Sequence, residues 1–113
     1  MSDCIFCKIV SKEIPADIVY EDDDILAFND IEPKAPVHVL IIPKIHIQSM
    51  DQITNDDQKL LGKMMIKIRE IASILKLDNG YRVVNNCGED GYQTVKHLHF
   101  HLLGGRKMQW PPG

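Results

Sequence analysis

The sharpest pattern in the chain lies near its C-terminal end. In His97-Leu98-His99-Phe100-His101-Leu102-Leu103, histidine and apolar residues alternate at every step. Successive side chains of a strand point to opposite faces, so this stretch predicts a strand with three imidazoles on one face and Leu98, Phe100 and Leu102 on the other. Same-face neighbours would sit roughly 6.6 Å apart, two rises of about 3.3 Å. One phosphate or one metal could then meet more than one ring.

A second period runs through 53–77. Leu61, Met64, Met65, Ile68, Ile71, Ala72 and Leu75 recur at three- and four-residue steps and predict one apolar stripe on a long helix, Ile53 to Leu77. Thr54 or Asn55 can cap its start, with Asp57 or Gln58 completing a capping box, and Gly80 would supply the left-handed residue that ends it. Cys4 to Val10 reads as a short helix closed before Pro15. Ile18–Glu21 and Ile25–Asn29 read as strands joined by an Asp22-Asp23-Asp24 turn. Val37–Ile42, apolar on both faces, reads as a central strand stopped by Pro43. Tyr81–Asn86 gives a further strand, and Cys87–Thr94 a polar loop with Gly88 and Gly91. The tail Trp110-Pro111-Pro112-Gly113 cannot be helical, and its Trp should pack on the body or on a second subunit. Together these elements predict one α+β domain over residues 1–113, with five strands, one long helix and one short one. The open sheet leaves unpaired edges, and burial of the helix and the tail against a second copy predicts a homodimer.

Composition narrows the function classes. Of 113 residues, 44 % are hydrophobic and 26 % charged, as in ordinary globular protein, and the net charge of −3 gives no general attraction to nucleic acid or anionic membrane. A bound phosphate would have to be held by local groups. No apolar run is long enough to span a bilayer, and Met1-Ser2-Asp3-Cys4 lacks the basic flank and apolar stretch of a signal peptide. The expectation is an intracellular protein, in the cytoplasm or nucleus, with its three cysteines reduced.

Imidazole titrates near neutrality, so three together can act as base, acid, nucleophile or metal ligand. A solvent-facing stripe would more often use Lys, Thr, Glu or Arg. A three-histidine metal site and covalent catalysis on phosphorus both remain open at this point. The adjoining loop favours phosphorus. Its glycines let backbone approach a ligand, its N–H groups can form an anion nest, and Asn86, Gln93 and Thr94 add side-chain donors.

The full pattern resembles the histidine triad (HIT) superfamily, in its branch of purine nucleoside phosphoramidases. The segments that carry the resemblance are Ile14-Pro15-Ala16, Phe28-Asn29-Asp30-Ile31, Pro36 to Lys44, His97 to Arg106, and the ending Met108-Gln109-Trp110-Pro111-Pro112-Gly113. It implies a HIT-like fold whose five-stranded antiparallel sheet becomes ten-stranded across a homodimer. It implies that His99 attacks the α-phosphorus to form a nucleotidyl-histidine, which water hydrolyses to the nucleoside monophosphate. By the same resemblance, His101 would contact the phosphate and help protonate the leaving group, and His38 would stand behind the triad and orient it. Asp30 would accept the ribose hydroxyls, and Phe6, Ile9, Ile14, Phe28 and Ile31 would surround the base. Asn86, Gln93 and Thr94 match phosphate-side positions. Tyr92 departs from the pattern, where a small residue is usual, and Lys96 replaces a common aromatic; both bear on substrate range.

Cys4-x-x-Cys7 alone fits buried thiols, a redox pair or half a zinc site. The resemblance implies a structural zinc on Cys4, Cys7, His46 and His97, not required for the chemistry, and leaves Cys87 a bystander. The expected function is hydrolysis of AMP–amine conjugates or acyl- and aminoacyl-adenylates, with a purine nucleotide as the small-molecule partner. The competing class is a non-catalytic purine nucleotide sensor, and a third is a metal hydrolase using all three triad histidines.

Overall fold

The computed structural model describes residues 3–113; Met1 and Ser2, part of the stretch read for a leader, lie outside the described residues. Five strands form one antiparallel sheet: β1 (Ile18–Glu21), β2 (Ile25–Asn29), β3 (Val37–Pro43), β4 (Tyr81–Val84) and β5 (Phe100–Gly104), in the order β1-β2-β3-β5-β4. The first helix, α1 (Ile5–Val10), packs on one face and the second, α2 (Gln58–Ile74), on the other. The Asp22 carboxylate makes the first turn by accepting the N–H groups of Asp24 and Ile25, each at 2.8 Å.

Period-2 alternation assigns every central side chain to a face. Toward α2 point Ile25, Ala27, Val39, Ile41, Leu98, Phe100 and Leu102, against Met64, Ile68, Ile71 and Ala72. Toward α1 point Leu26, Phe28, Leu40 and Ile42, against Phe6 and Ile9. Leu98 and Leu102 are fully buried and Phe100 nearly so. Each such side chain is worth about 1.5–3 kcal/mol in burial, so the apolar set pins the histidine set to the other face.

Several boundaries differ from the sequence expectation. The long helix is shorter than 53–77: two 3-10 turns, Met50–Gln52 and Asn55–Asp57, precede it. The capping box forms between Thr54 and Asp57, but it closes the second 3-10 turn, which feeds directly into α2. Lys76, at φ 60°, takes the left-handed position past the helix end, whereas Gly80, at φ 107°, serves the turn into β4. Met65 lies at the margin of the stripe and is exposed. β4 stops at Val84, because Asn85 caps the ladder with its side chain, donating to the His99 carbonyl at 2.9 Å. Pro43 is the last residue of β3 and not the residue after it.

The histidine strand also begins late, at Phe100. Ile41 pairs with Phe100 and Leu40 with His101, but the ladder goes no further toward His97. Pro43 has no N–H to donate, and its carbonyl is taken by His97 Nε2 at 2.9 Å, while Leu98 N–H bonds the Ile47 carbonyl. Residues 97–99 are thus tied down by single contacts, and the alternation of faces continues through them. Trp110 is 81 % exposed, so within one chain the tail does not bury it; the Arg82 guanidinium lies over its ring, 5.9 Å from the centroid.

Candidate active site

On the α1 face, β2, β3, β5 and the approach to β5 enclose a cleft of about 310 Å³. Phe6, Ile9, Ile14, Phe28 and Leu40 form its apolar side, Asp30 and Glu32 stand at one end, and His99, His101, Thr94 and Val95 complete the wall. The volume suits a nucleotide-sized ligand. Ile31 borders the cleft although it is 94 % exposed, since it sits on the turn after β2.

His99 is held from two sides. Its Nδ1 lies 2.7 Å from the His97 carbonyl. A carbonyl only accepts, so Nδ1 carries the proton and Nε2 keeps its lone pair. The Phe6 ring meets the His99 ring edge-on at 5.1 Å and 90°. Burial pushes the His99 pKa below its ordinary value, which favours the neutral ring.

His101 projects from β5 beside it, 5.1 Å between ring centroids. Its Nδ1 lies 2.9 Å from Nε2 of His38, which is buried at the start of β3. His38 Nδ1 accepts the main-chain N–H of Lys34 at 3.0 Å, and Asp30 Oδ2 stands 3.5 Å from its Nε2. Asp30 Oδ1 accepts the Glu32 N–H at 2.8 Å, which fixes the carboxylate at the cleft rim with acceptor capacity left over. Burial lowers the pKa of His38 as well.

His97 faces a different group. Its Nε2–H donates to the Pro43 carbonyl, so its Nδ1 is a lone-pair donor. Around that atom stand Cys4 Sγ at 3.4 Å, Cys7 Sγ at 3.6 Å and His46 Nδ1 at 3.2 Å, with Cys7 Sγ to His46 Nδ1 at 3.3 Å. The ligand atoms of all four residues lie within 4.8 Å of one another. A tetrahedral zinc with bonds of about 2.0–2.3 Å needs ligand-to-ligand edges of roughly 3.3–3.8 Å. The donor set therefore fits the ion, with one ring already oriented by a carbonyl behind it. Cys4 also caps α1 through its Sγ, and all three cysteines are free.

The loop before the triad is less of a ligand cradle than its composition implied. Asn86 Nδ2 donates to the Gly91 carbonyl, and Gln93 Nε2 donates to the carbonyls of Gln48 and Val95. Gln93 Oε1 accepts the Gly88 N–H. Both amides brace the loop, and of the three named donors only Thr94 lines the cleft. Gly91 is required sterically, since a Cβ there would stand 2.3 Å from the Cys87 carbonyl oxygen. Tyr92 adopts φ 63°, a left-handed conformation that explains why a small residue suits this place. Sequence reasoning missed the Lys34 N–H, the Pro43 carbonyl and Asn85. The first two are main-chain groups with no sequence signal, and Asn85 falls inside the stretch Tyr81–Asn86 that reads as a strand.

Residues 11–108 match the HIT domain, and the chain belongs to that family. An uncharacterized HIT-like protein of Synechococcus elongatus is 55 % identical over 111 residues, covering 98 % of this chain and 97 % of the relative. Among solved structures, a HIT family hydrolase from Legionella pneumophila superposes with a TM-score of 0.97 at 51 % identity, covering 98 % of this chain and all of that one. A histidine triad nucleotide-binding protein from Candida albicans superposes with a TM-score of 0.82 at 37 % identity, covering 96 % of this chain and 83 % of its own. These matches support a hydrolase-like HIT protein. Among the described residues, no helix is long and apolar enough to cross a membrane.

Proposed function

We propose that the protein is a nucleotidyl hydrolase that cleaves purine nucleoside phosphoramidates or acyl-adenylates through a covalent histidine intermediate. The observation that carries this reading is His99: a neutral imidazole, its Nδ1–H fixed by a carbonyl, with Nε2 free at the wall of a nucleotide-sized cleft. The base lies among Phe6, Ile9, Ile14 and Phe28, and Asp30 accepts the ribose hydroxyls. The α-phosphate then sits against His99 and His101. His99 Nε2 displaces the leaving group from phosphorus, and water displaces His99 in a second step, so that one difficult displacement becomes two easier ones. The Candida relative is named as nucleotide-binding and the Legionella one as a hydrolase, and both names agree with this chemistry.

Cys4, Cys7, His46 and His97 would hold a zinc ion whose contribution is structural, tying α1 to the turn after β3 and to the residue before Leu98. A second copy pairing along the β4 edge would extend the sheet to ten strands and cover Tyr81 and Val83, which are exposed on that edge. His99→Asn tests the main claim: release of AMP from an AMP–amine conjugate is expected to cease while AMP still binds. Sustained turnover by the variant would refute nucleophilic catalysis at His99. Binding without turnover in the wild-type protein would favour the nucleotide sensor.

A further inference from the structure

Gly104-Gly105-Arg106 follows the triad directly, yet none of the three lines the cleft. The turn reaches instead to the connection between β2 and β3. Gly105, at φ 88°, lies so close to Pro36 that an added Cβ would stand 2.8 Å from the Pro36 Cβ. Arg106 Nη2 donates to the Lys34 carbonyl at 3.0 Å. Both contacts fall on the second half of the connection, Asp30 to Pro36.

That connection is thinly held. Ile31, Glu32, Pro33 and Lys34 are exposed, and Pro33 and Pro36 have no N–H to donate. Its internal bonds are local: the Glu32 N–H to Asp30 Oδ1 at 2.8 Å, and Lys34 Nζ to the Glu32 carbonyl at 2.9 Å. Segments with few buried contacts open locally at low cost, so a tether from the end of β5 bears on where Lys34 sits. Lys34 matters because its N–H donates to His38 Nδ1 at 3.0 Å, and His38 Nε2 lies 2.9 Å from His101 Nδ1. The Lys34 N–H and carbonyl flank one Cα. Pinning the carbonyl restrains that Cα and keeps the N–H aimed at the ring.

We infer that Arg106 is a positioning residue for the hydrolysis: its guanidinium holds the Lys34 main chain, and through the Lys34 N–H it fixes the His38 ring behind the triad. The planar fork of arginine suits this task, since Nη1 also donates to the Lys107 carbonyl at 3.4 Å and braces the side chain at a second point. Asp30 has an anchor of its own, its N–H donating to the His38 carbonyl at 3.0 Å beside the strand ladder. Loss of the clasp therefore acts on the reacting end of the site and not on ribose binding. The effect on turnover rests on the nucleotidyl reading; the clasp itself does not.

Arg106→Met keeps the stem and removes the donors. Amide hydrogen exchange followed by NMR is expected to quicken about tenfold at Lys34, the low end for a hydrogen bond to a charged group, while Ile41 and Leu102 in the central strands exchange as in the wild type. With an adenosine phosphoramidate, kcat is expected to fall by a similar factor and KM to change by less than about twofold, the split of an interaction that orients the reacting groups. Arg106→Lys keeps one donor on a flexible stem, so both effects should shrink to about threefold. Unchanged exchange at Lys34 in either variant would overturn the clasp, as would equal acceleration at Lys34, Ile41 and Leu102, which marks a general loss of stability. A rise in KM with kcat unchanged would overturn the positioning role. A wild-type protein without turnover would overturn the nucleotidyl reading, and the exchange rates at Lys34 would still decide the clasp.

Discussion

Replacing Phe6 with leucine keeps the floor of the cleft apolar but removes an aromatic edge shared by three rings. Phe6 is 6 % exposed and meets Phe28 at 5.5 Å, His97 at 5.9 Å and His99 at 5.1 Å between centroids, all near-perpendicular. Aromatic pairs of this kind contribute about 0.5–1.5 kcal/mol each beyond their area. The three contacts share one ring, so a total near 2 kcal/mol is expected, or roughly 8 °C in Tm for a chain of this size. The full Phe6→Ala truncation would cost about 3–5 kcal/mol. Urea unfolding at constant m gives the stability change, and steady-state turnover of an adenosine phosphoramidate gives the functional one. Because Phe6 limits the tilt of the His99 ring, kcat of Phe6→Leu should fall by roughly threefold to tenfold, through loss of alignment with phosphorus. A variant within about 0.5 kcal/mol of wild type, with kcat unchanged, would show that α1 does not hold the triad and would refute the packing account.

Acid should destabilise the metal-free protein earlier than its carboxylates alone would. His38, His97, His99 and His101 all have folded pKa values below the ordinary 6.5 because they are buried. The unfolded chain therefore binds more protons as pH falls below 6.5, and stability declines from there toward about pH 4, the folded value of His101. After allowance for its partial exposure, His101 should account for about 2 kcal/mol; urea midpoints flat from pH 7 to pH 4.5 would contradict this. Glu21 and Glu70, held low by lysine partners, add their losses only below their ordinary 4.5. Asp30→Asn should weaken AMP binding about 10- to 100-fold, by loss of charge-assisted hydrogen bonds, and should barely change binding of the 2′,3′-dideoxy analogue; calorimetry that finds equal losses for both ligands would reject the ribose role. One equivalent of zinc should bind the wild-type chain and raise its Tm, and Cys4→Ser with Cys7→Ser should abolish both effects; equal zinc binding by the double variant would dismiss the four-ligand site.

The sheet was legible in the sequence wherever alternation was strong. β1, β2 and β3 lie where β-branched and apolar residues alternate or run together, and the triad faces the side opposite Leu98, Phe100 and Leu102. Boundaries set by single contacts were not legible. The start of β5 depends on Pro43 lacking an N–H and on His97 capturing its carbonyl, and the start of α2 depends on a 3-10 turn that Thr54 caps. The cleft residues Phe6, Ile9, Ile14, Phe28 and Asp30 converge from separate segments, and only the family resemblance pointed to that convergence. Asn86 and Gln93 show the limit of composition: polar residues beside glycines satisfied the loop itself. The Lys34 donor to His38 left no trace in side-chain identity, because it belongs to the backbone.

The most direct measurement is single-turnover labelling with an adenosine phosphoramidate carrying ³²P at the α position, quenched and analysed by peptide mapping. An acid-labile AMP adduct on His99, formed no more slowly than AMP is released and absent from His99→Asn, is the predicted result. AMP release without any labelled protein, or a label carried on a residue other than His99, would contradict the account.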